Sequence, residues 1–237
     1  MKFFKTPTSE GFEDIRNRFH RLRAFTEYDG TDQMENLETS LQKWQSDINY
    51  QIAEEPGTLL HTAVRIECEK TVSVLIKYGA IIDMPALRSL QTPLHHSVII
   101  SHEKIINLLL QKGANPNSTD FAKFTPLHMA CLNMAAKIVK ILLEYGANVY
   151  SKINAKFVTS NHPPYNDGQK YSALEVVMMK DLESIACMKT ILYHEHIANK
   201  FGQKIPQPVH PTSNKDFLKY LSNVISMNNE IEDLILN

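Results

Sequence analysis

Thr92-Pro93-Leu94-His95-His96-Ser97 recurs as Thr125-Pro126-Leu127-His128-Met129-Ala130, and Thr58-Leu59-Leu60-His61-Thr62-Ala63, which lacks the proline, stands one similar step before the first of them. A second marker keeps the same beat at Tyr78-Gly79-Ala80, Lys112-Gly113-Ala114 and Tyr145-Gly146-Ala147. In both series the later step is one residue shorter than the earlier one. Two markers in phase define an internal repeat, and a repeat fixes the architecture before any local reading does. The parts have physical reasons. Thr before Pro is a helix start, because the hydroxyl caps a free N–H and Pro at the first helical position lacks only an N–H that would be orphaned anyway. The glycine closes a helix, since it enters the left-handed region without a Cβ penalty.

Between the markers the pattern is helical. Leu94 and Leu127 are expected to point into a core, and the short helix that follows carries Val98 and Ile99. A polar turn at Ser101-His102 leads to a second helix, read as Ile105–Leu110 in one repeat and Ile138–Leu143 in the next. These residues resemble the ankyrin repeat, a unit of about 33 residues with the T-P-L-H-x-A motif. The match is full at 92–97, with Ser97 for the final Ala, and at 125–130; Thr58–Ala63 keeps Leu60, His61 and Ala63. The resemblance spans roughly residues 55 to 200. It implies an all-α solenoid of about four helix–turn–helix repeats, with a β-turn finger projecting between successive repeats. Two departures bear on the shape of the turns. Leu90 and Lys123 stand where the family has Gly before the Thr, and Ser101-His102 and Met134-Ala135 replace the Gly-His between paired helices.

A fourth unit is expected at Tyr171–Val176 with a second helix over Ile185–Leu192. Ser172 follows Thr125 by well over one period, so an insert near 154–170 separates the third and fourth units. Its Asn161-His162-Pro163-Pro164-Tyr165-Asn166-Asp167-Gly168 reads as a loop. Residues 1–54 form an N-terminal flank. Phe12, Ile15, Phe19 and Leu22 recur at helical spacing, as do Met34, Leu37, Leu41, Trp44 and Ile48, with Thr31 or Asp32 starting the second helix. This pair is read as a cap on the open end of the stack, because a terminal repeat otherwise exposes an apolar face. Residues 201–237 hold a Pro-rich linker, Ile205–Pro211, and an amphipathic helix through Phe217, Leu221 and Val224.

Composition narrows the function classes. Of 237 residues, 43% are hydrophobic and 22% charged, the values of a globular chain with a core, and the formal net charge of −1 gives no global basic balance toward nucleic acid. No apolar run approaches the ~20 residues that span a bilayer, and Met1–Pro7 is too short in apolar residues for a secretory segment. The three cysteines Cys68, Cys131 and Cys187 are widely spaced and read as small buried residues in a reducing compartment. A soluble, cytoplasmic protein is the expectation.

No Gly-rich phosphate loop, nucleophile elbow or HExxH pattern occurs, so no catalytic set, metal or cofactor is expected. His61, His95 and His128 recur with the repeat, and in the resembling family this histidine is structural, hydrogen-bonding across the finger. His194-Glu195-His196 places its histidines on different helix faces. Arg16, Arg18, Arg21 and Arg23 make a basic cluster, read as a solvated helix face because Glu13 and Asp14 adjoin it.

The resemblance implies binding through a concave face of finger tips and first helices. On this sequence the candidate contact residues are Arg65, Ile66, Ile99, Ile100, Leu132 and Asn133 after the motifs, and Arg88, Gln91, Lys123 and Phe124 at the fingers. Phe124 is taken as an exposed aromatic anchor, and Arg88 and Lys123 as groups steering an acidic partner. His162 and Tyr165, flanked by prolines, add a candidate arm. The expected function is an adaptor, inhibitor or scaffold that binds another protein. One form of it is a secreted effector acting on host proteins, because the acidic, apolar Glu230–Asn237 stretch looks like the tails of type IV-secreted effectors. The alternatives are an enzyme using the insert or the flanking helices, or membrane binding through the basic N-terminal helix.

Overall fold

A computed structural model describes residues 31–43, 48–51, 57–154 and 170–173, together with Asn17, His20, Ala24, Val176, Cys187, Thr190 and Ile191. Helix α1 spans Thr31–Lys43. Three helical hairpins follow: α2 (Leu59–Arg65) with α3 (Glu69–Lys77), α4 (Pro93–Ile99) with α5 (Glu103–Gln111), and α6 (Pro126–Leu132) with α7 (Ala136–Glu144). The short first helices α2, α4 and α6 pack side by side as an inner row, and α3 lies against α5 in an outer row. A two-stranded ribbon, β1 (Lys152–Asn154) and β2 (Lys170–Ser172), follows α7.

The repeat is visible as columns of buried side chains. Leu37, Thr71, Ile105 and Ile138 follow one another at the period of the motif, as do Leu41, Leu75, Leu109 and Leu142, and all eight are almost wholly excluded from solvent. Helix α1 thus continues the column pattern of the outer helices. Gln42 Nε2 donates to the Tyr78 hydroxyl at 3.3 Å, and Lys77 pairs with Glu38 at 3.3 Å across the α1–α3 boundary.

The stretches Thr58–Gly79, Thr92–Gly113 and Thr125–Gly146 are equal in length, whereas Gly79–Thr92 is one residue longer than Gly113–Thr125. The helical hairpin is therefore constant and the finger absorbs the difference in period. The first finger closes with Ala86 N–H on the Gln91 carbonyl, and the second, one residue tighter, with Asp120 N–H on the Phe124 carbonyl, both at 2.9 Å. The third finger takes up the insert. Ser172, in the cap position of Thr125, pairs with Lys152, and Asn154 pairs with Lys170, so two antiparallel strands bracket the insert in sequence. The ends of the window read as a loop are strands; residues 155–169 lie outside the described residues. Beyond the ribbon, Ala173, Val176, Cys187 and Ile191 are helical and buried in the same core, at the positions expected of a fourth unit.

The residues that replace glycine keep glycine's backbone. Leu90 and Lys123 in the fingers have φ of 54° and 69°, and Glu67, Ser101 and Met134 between paired helices have φ of 60°, 59° and 54°. A residue with a Cβ pays roughly 1–2 kcal/mol for this region, so the stack imposes the turn on five unsuited residues. A separate polar ladder, at positions one period apart, holds the turns that follow the outer helices. Asn49 donates to the Gly79 carbonyl at 3.1 Å and accepts from Ile81 N–H at 2.7 Å. Asn117 does the same for Gly146 at 3.0 Å and Asn148 at 2.7 Å. Asp83, between them and without an amide donor, accepts from Asn115 N–H at 3.0 Å.

Candidate protein-binding face

The repeating histidines hold the inner helices to the fingers. His61, His95 and His128 are the third residues of α2, α4 and α6, and their Nδ1 atoms accept from the cap N–H groups of Thr58, Thr92 and Thr125 at 3.1, 3.1 and 3.3 Å. This is a capping box with imidazole in the role usual for Glu or Gln. A backbone N–H only donates, so Nδ1 carries no proton and the tautomer is fixed. Nε2–H then donates forward to the carbonyl just before the next Thr: Gln91 at 3.0 Å for His61, and Phe124 at 3.1 Å for His95. Burial lowers the His61 pKa to about 4, with the hydrogen bond to Gln91 opposing, and it lowers that of His95 as well. Each imidazole caps its own inner helix, and those of His61 and His95 also reach the following finger. Among the described residues no three His, Cys, Asp or Glu side chains gather as a metal site.

Phe124 is not an exposed anchor. It is only 7% exposed, its ring lies edge-on to His128 at 6.1 Å, and its carbonyl and N–H are taken by His95 and by Asp120 Oδ1. The residue before the cap Thr lies on the return limb of the finger, where His95 must reach its carbonyl, and this turns the side chain toward the core. Gln91 holds the same position one finger earlier and is half-buried. The aromatic that projects is Phe121, 63% exposed, in the same finger. Sequence reading missed it, along with Leu87 and Leu90.

The other candidates fall at two ends of the inner row. At the far ends of the inner helices, Ile66, Ile99 and Asn133 are exposed, while Arg65, Ile100 and Leu132 are half-buried. At the fingers, Arg88 and Lys123 are exposed. One seven-residue inner helix separates the two groups, a distance of ~10 Å at 1.5 Å per residue. His162 and Tyr165 lie outside the described residues, as do the basic cluster's arginines and His194–His196. Cys131 and Cys187 are buried, and burial pushes both thiols up; Cys68, expected in the core, is half-exposed and accepts from the Thr71 hydroxyl at the start of α3.

Large apolar side chains left in water are unevenly distributed. Of the eight among the described residues, Leu87, Leu90 and Phe121 lie on fingers, and Ile66, Ile99 and Met134 lie at or just past inner-helix ends. Charge divides differently. On the outer helices Lys77, Lys104 and Lys137 face Glu38, Glu69 and Glu103 of the preceding unit at 3.3, 3.4 and 4.0 Å. Exposed pairs of this kind contribute ~0.2–1 kcal/mol each, so they match charges more than they stabilise. Arg88 and Lys123 have no ion pair among the described residues.

A stack of helix pairs with projecting fingers is a repeat scaffold. The family described as ankyrin repeats (3 copies) matches residues 34–120 and 91–153, half of the chain, and the chain belongs to that family. Its first matched residue lies within α1. The chain is 39% identical over 69 residues to the Nuclear factor NF-kappa-B p100 subunit of Xenopus laevis, covering 27% of this chain and 7% of that protein. It is 39% identical over 61 residues to the B-cell lymphoma 3 protein homolog of Mus musculus, covering 26% of this chain and 14% of that protein. The similarity to both is thus confined to a small part of their length. Ankyrin repeats are modules of protein–protein contact, and that is the class of this chain. No helix among the described residues is long and apolar enough to cross a membrane.

Proposed function

We propose that this chain is an adaptor, inhibitor or scaffold that grips one partner protein along its inner face, from the finger tips to the far ends of the inner helices. The observation that carries this reading is the concentration of exposed apolar side chains at those two places, six of eight among the described residues. Exposed apolar groups clustered on one face mark contact surfaces. Arg65, Arg88 and Lys123 on that side favour an acidic partner. On the same reading the flanks, 1–54 and 201–237, cover the ends of the stack. The export reading has its support only in the composition of Glu230–Asn237.

Site-specific photo-crosslinking in cells tests the proposal. A benzophenone side chain is placed at Ile99 or Lys123 on the inner face, or at Lys104 or Lys140 on the outer helices. Adducts with one protein from the inner positions alone are the expected outcome. Adducts from the outer positions alone would place the contact on the opposite face and end this reading.

A further inference from the structure

Resting on the inner-face reading, we infer that the tips of the first two fingers are an anchoring subsite for a linear segment of the partner that carries acidic and bulky apolar side chains. The first observation is apolar. Leu87 and Leu90 of the first finger are 57% and 42% exposed, Phe121 of the second is 63% exposed, and Phe121 N–H donates to the Ser89 carbonyl at 2.9 Å. That backbone bond ties one tip to the next, so the loops that carry the three side chains are joined.

The second observation is the direction of charge. The acids near the tips are engaged by backbone: Asp83 accepts from Asn115 N–H, and buried Asp120 accepts from Ala122 and Phe124 N–H at 2.9 and 2.8 Å. The outward charges of residues 86–91 and 120–124 are therefore Arg88 and Lys123, both exposed. The four groups sum to zero formal charge, two acids against two bases, so the tips generate little long-range field. The complementarity acts at contact distance, where a partner meets exposed Arg88 and Lys123 and not buried Asp120. Such a surface selects carboxylates beside leucine- or phenylalanine-like side chains and rejects basic segments. The chain's own Glu230-Ile231-Glu232-Asp233-Leu234-Ile235-Leu236 has that composition, which makes self-occupation the rival outcome.

The test uses the full chain and short fluorescein-labelled peptides read by fluorescence anisotropy at physiological salt. One panel interleaves Glu and Asp with Leu and Phe; a second replaces the acids by Lys; a third replaces the apolar residues by Ser. Binding of the first panel alone is expected. Phe121→Ala and the Arg88→Glu/Lys123→Glu pair should each weaken it by about tenfold or more, while the outer-face pair Lys104→Glu/Lys137→Glu leaves it unchanged. Equal binding of the basic panel, no binding by any panel, or indifference to the tip variants overturns the assignment. Binding that appears only in a full chain carrying E230K/E232K/D233K shows the tips filled by the chain's own segment and overturns assignment to a partner. If crosslinks from Ile99 persist while the tip variants change nothing, the inner-face reading stands and the tip subsite falls.

Discussion

His61 shows how one side chain couples two repeats. It caps its own helix through Nδ1 and holds the next finger through Nε2, an arrangement only the neutral ring can make. Protonation would set an Nδ1–H against the Thr58 N–H. His96, its ring edge-on to His61 at 5.4 Å, is also held neutral by burial, with Arg65 opposing its charge, and both pKa values are pushed to about 4 from 6.5. The unfolded chain binds more protons between those values, so this stabilisation is complete above pH 6.5 and is lost as pH falls toward 4. For His61 alone it is on the order of 3 kcal/mol. Thermal melts should therefore show Tm falling steeply from pH 6.5 to 4.5, and His61→Asn should lower Tm at pH 7 while flattening that slope. An equally steep profile in the variant would show that His61 does not carry the effect. Phe124 and Phe121 supply a second residue-scale test by denaturant titration. Phe124→Ala should cost about 3 kcal/mol as a core truncation, whereas Phe121→Ala should stay within ~0.5 kcal/mol as a surface change; equal losses would contradict their opposite placement.

The hairpins were legible in the sequence because their signals are local and repeated. The Thr caps, the prolines and the closing glycines mark helix ends by backbone chemistry, and the helices start and stop where those residues put them. The fingers were not. Phe121 and Phe124 sit three residues apart in one turn, and their directions depend on a hydrogen bond from His95, a residue of the preceding repeat. No local pattern contains that bond. A periodic argument comes closer: Gln91 and Phe124 both precede a cap Thr, so both owe their carbonyls to the preceding histidine. Leu90, Lys123 and Met134 could be recognised as replacements for glycine, but not whether the backbone had followed them. It did not, and this yields a prediction for the turn itself. Met134→Gly removes a left-handed penalty of roughly 1–2 kcal/mol and adds back about 0.5–1 kcal/mol of unfolded-state entropy. Equilibrium unfolding should show a net gain of about 0.5–1 kcal/mol. A loss would mean that the half-exposed methionine packs at that turn more than its 40% exposure implies.

Among the described residues the main helix contacts run within a unit or between neighbouring units, so stability is approximately a sum of unit and interface contributions. Position in the stack should then decide how far a local defect spreads. Leu41 and Leu94 are both fully buried leucines, and truncating either to alanine should cost ~2–5 kcal/mol locally. Leu41 lies in α1, whose described neighbour in the outer row is α3. Leu94 lies in α4, which packs against α2 on one side, α6 on the other and its own partner α5. Loss at Leu41 weakens one interface and leaves the rows from α4 onward intact, while loss at Leu94 weakens both interfaces of the central unit. Hydrogen–deuterium exchange should thus show Leu41→Ala raising exchange in α1 and part of α3 but sparing α5 to α7. Leu94→Ala should raise it from α2 through α7. Uniform exchange in both variants would mean that the stack opens as one cooperative block, with interfaces stronger than the units they join. In that case the inner face is presented whole or not at all, and a partner gripping only the first two finger tips would stabilise α7 as much as α2.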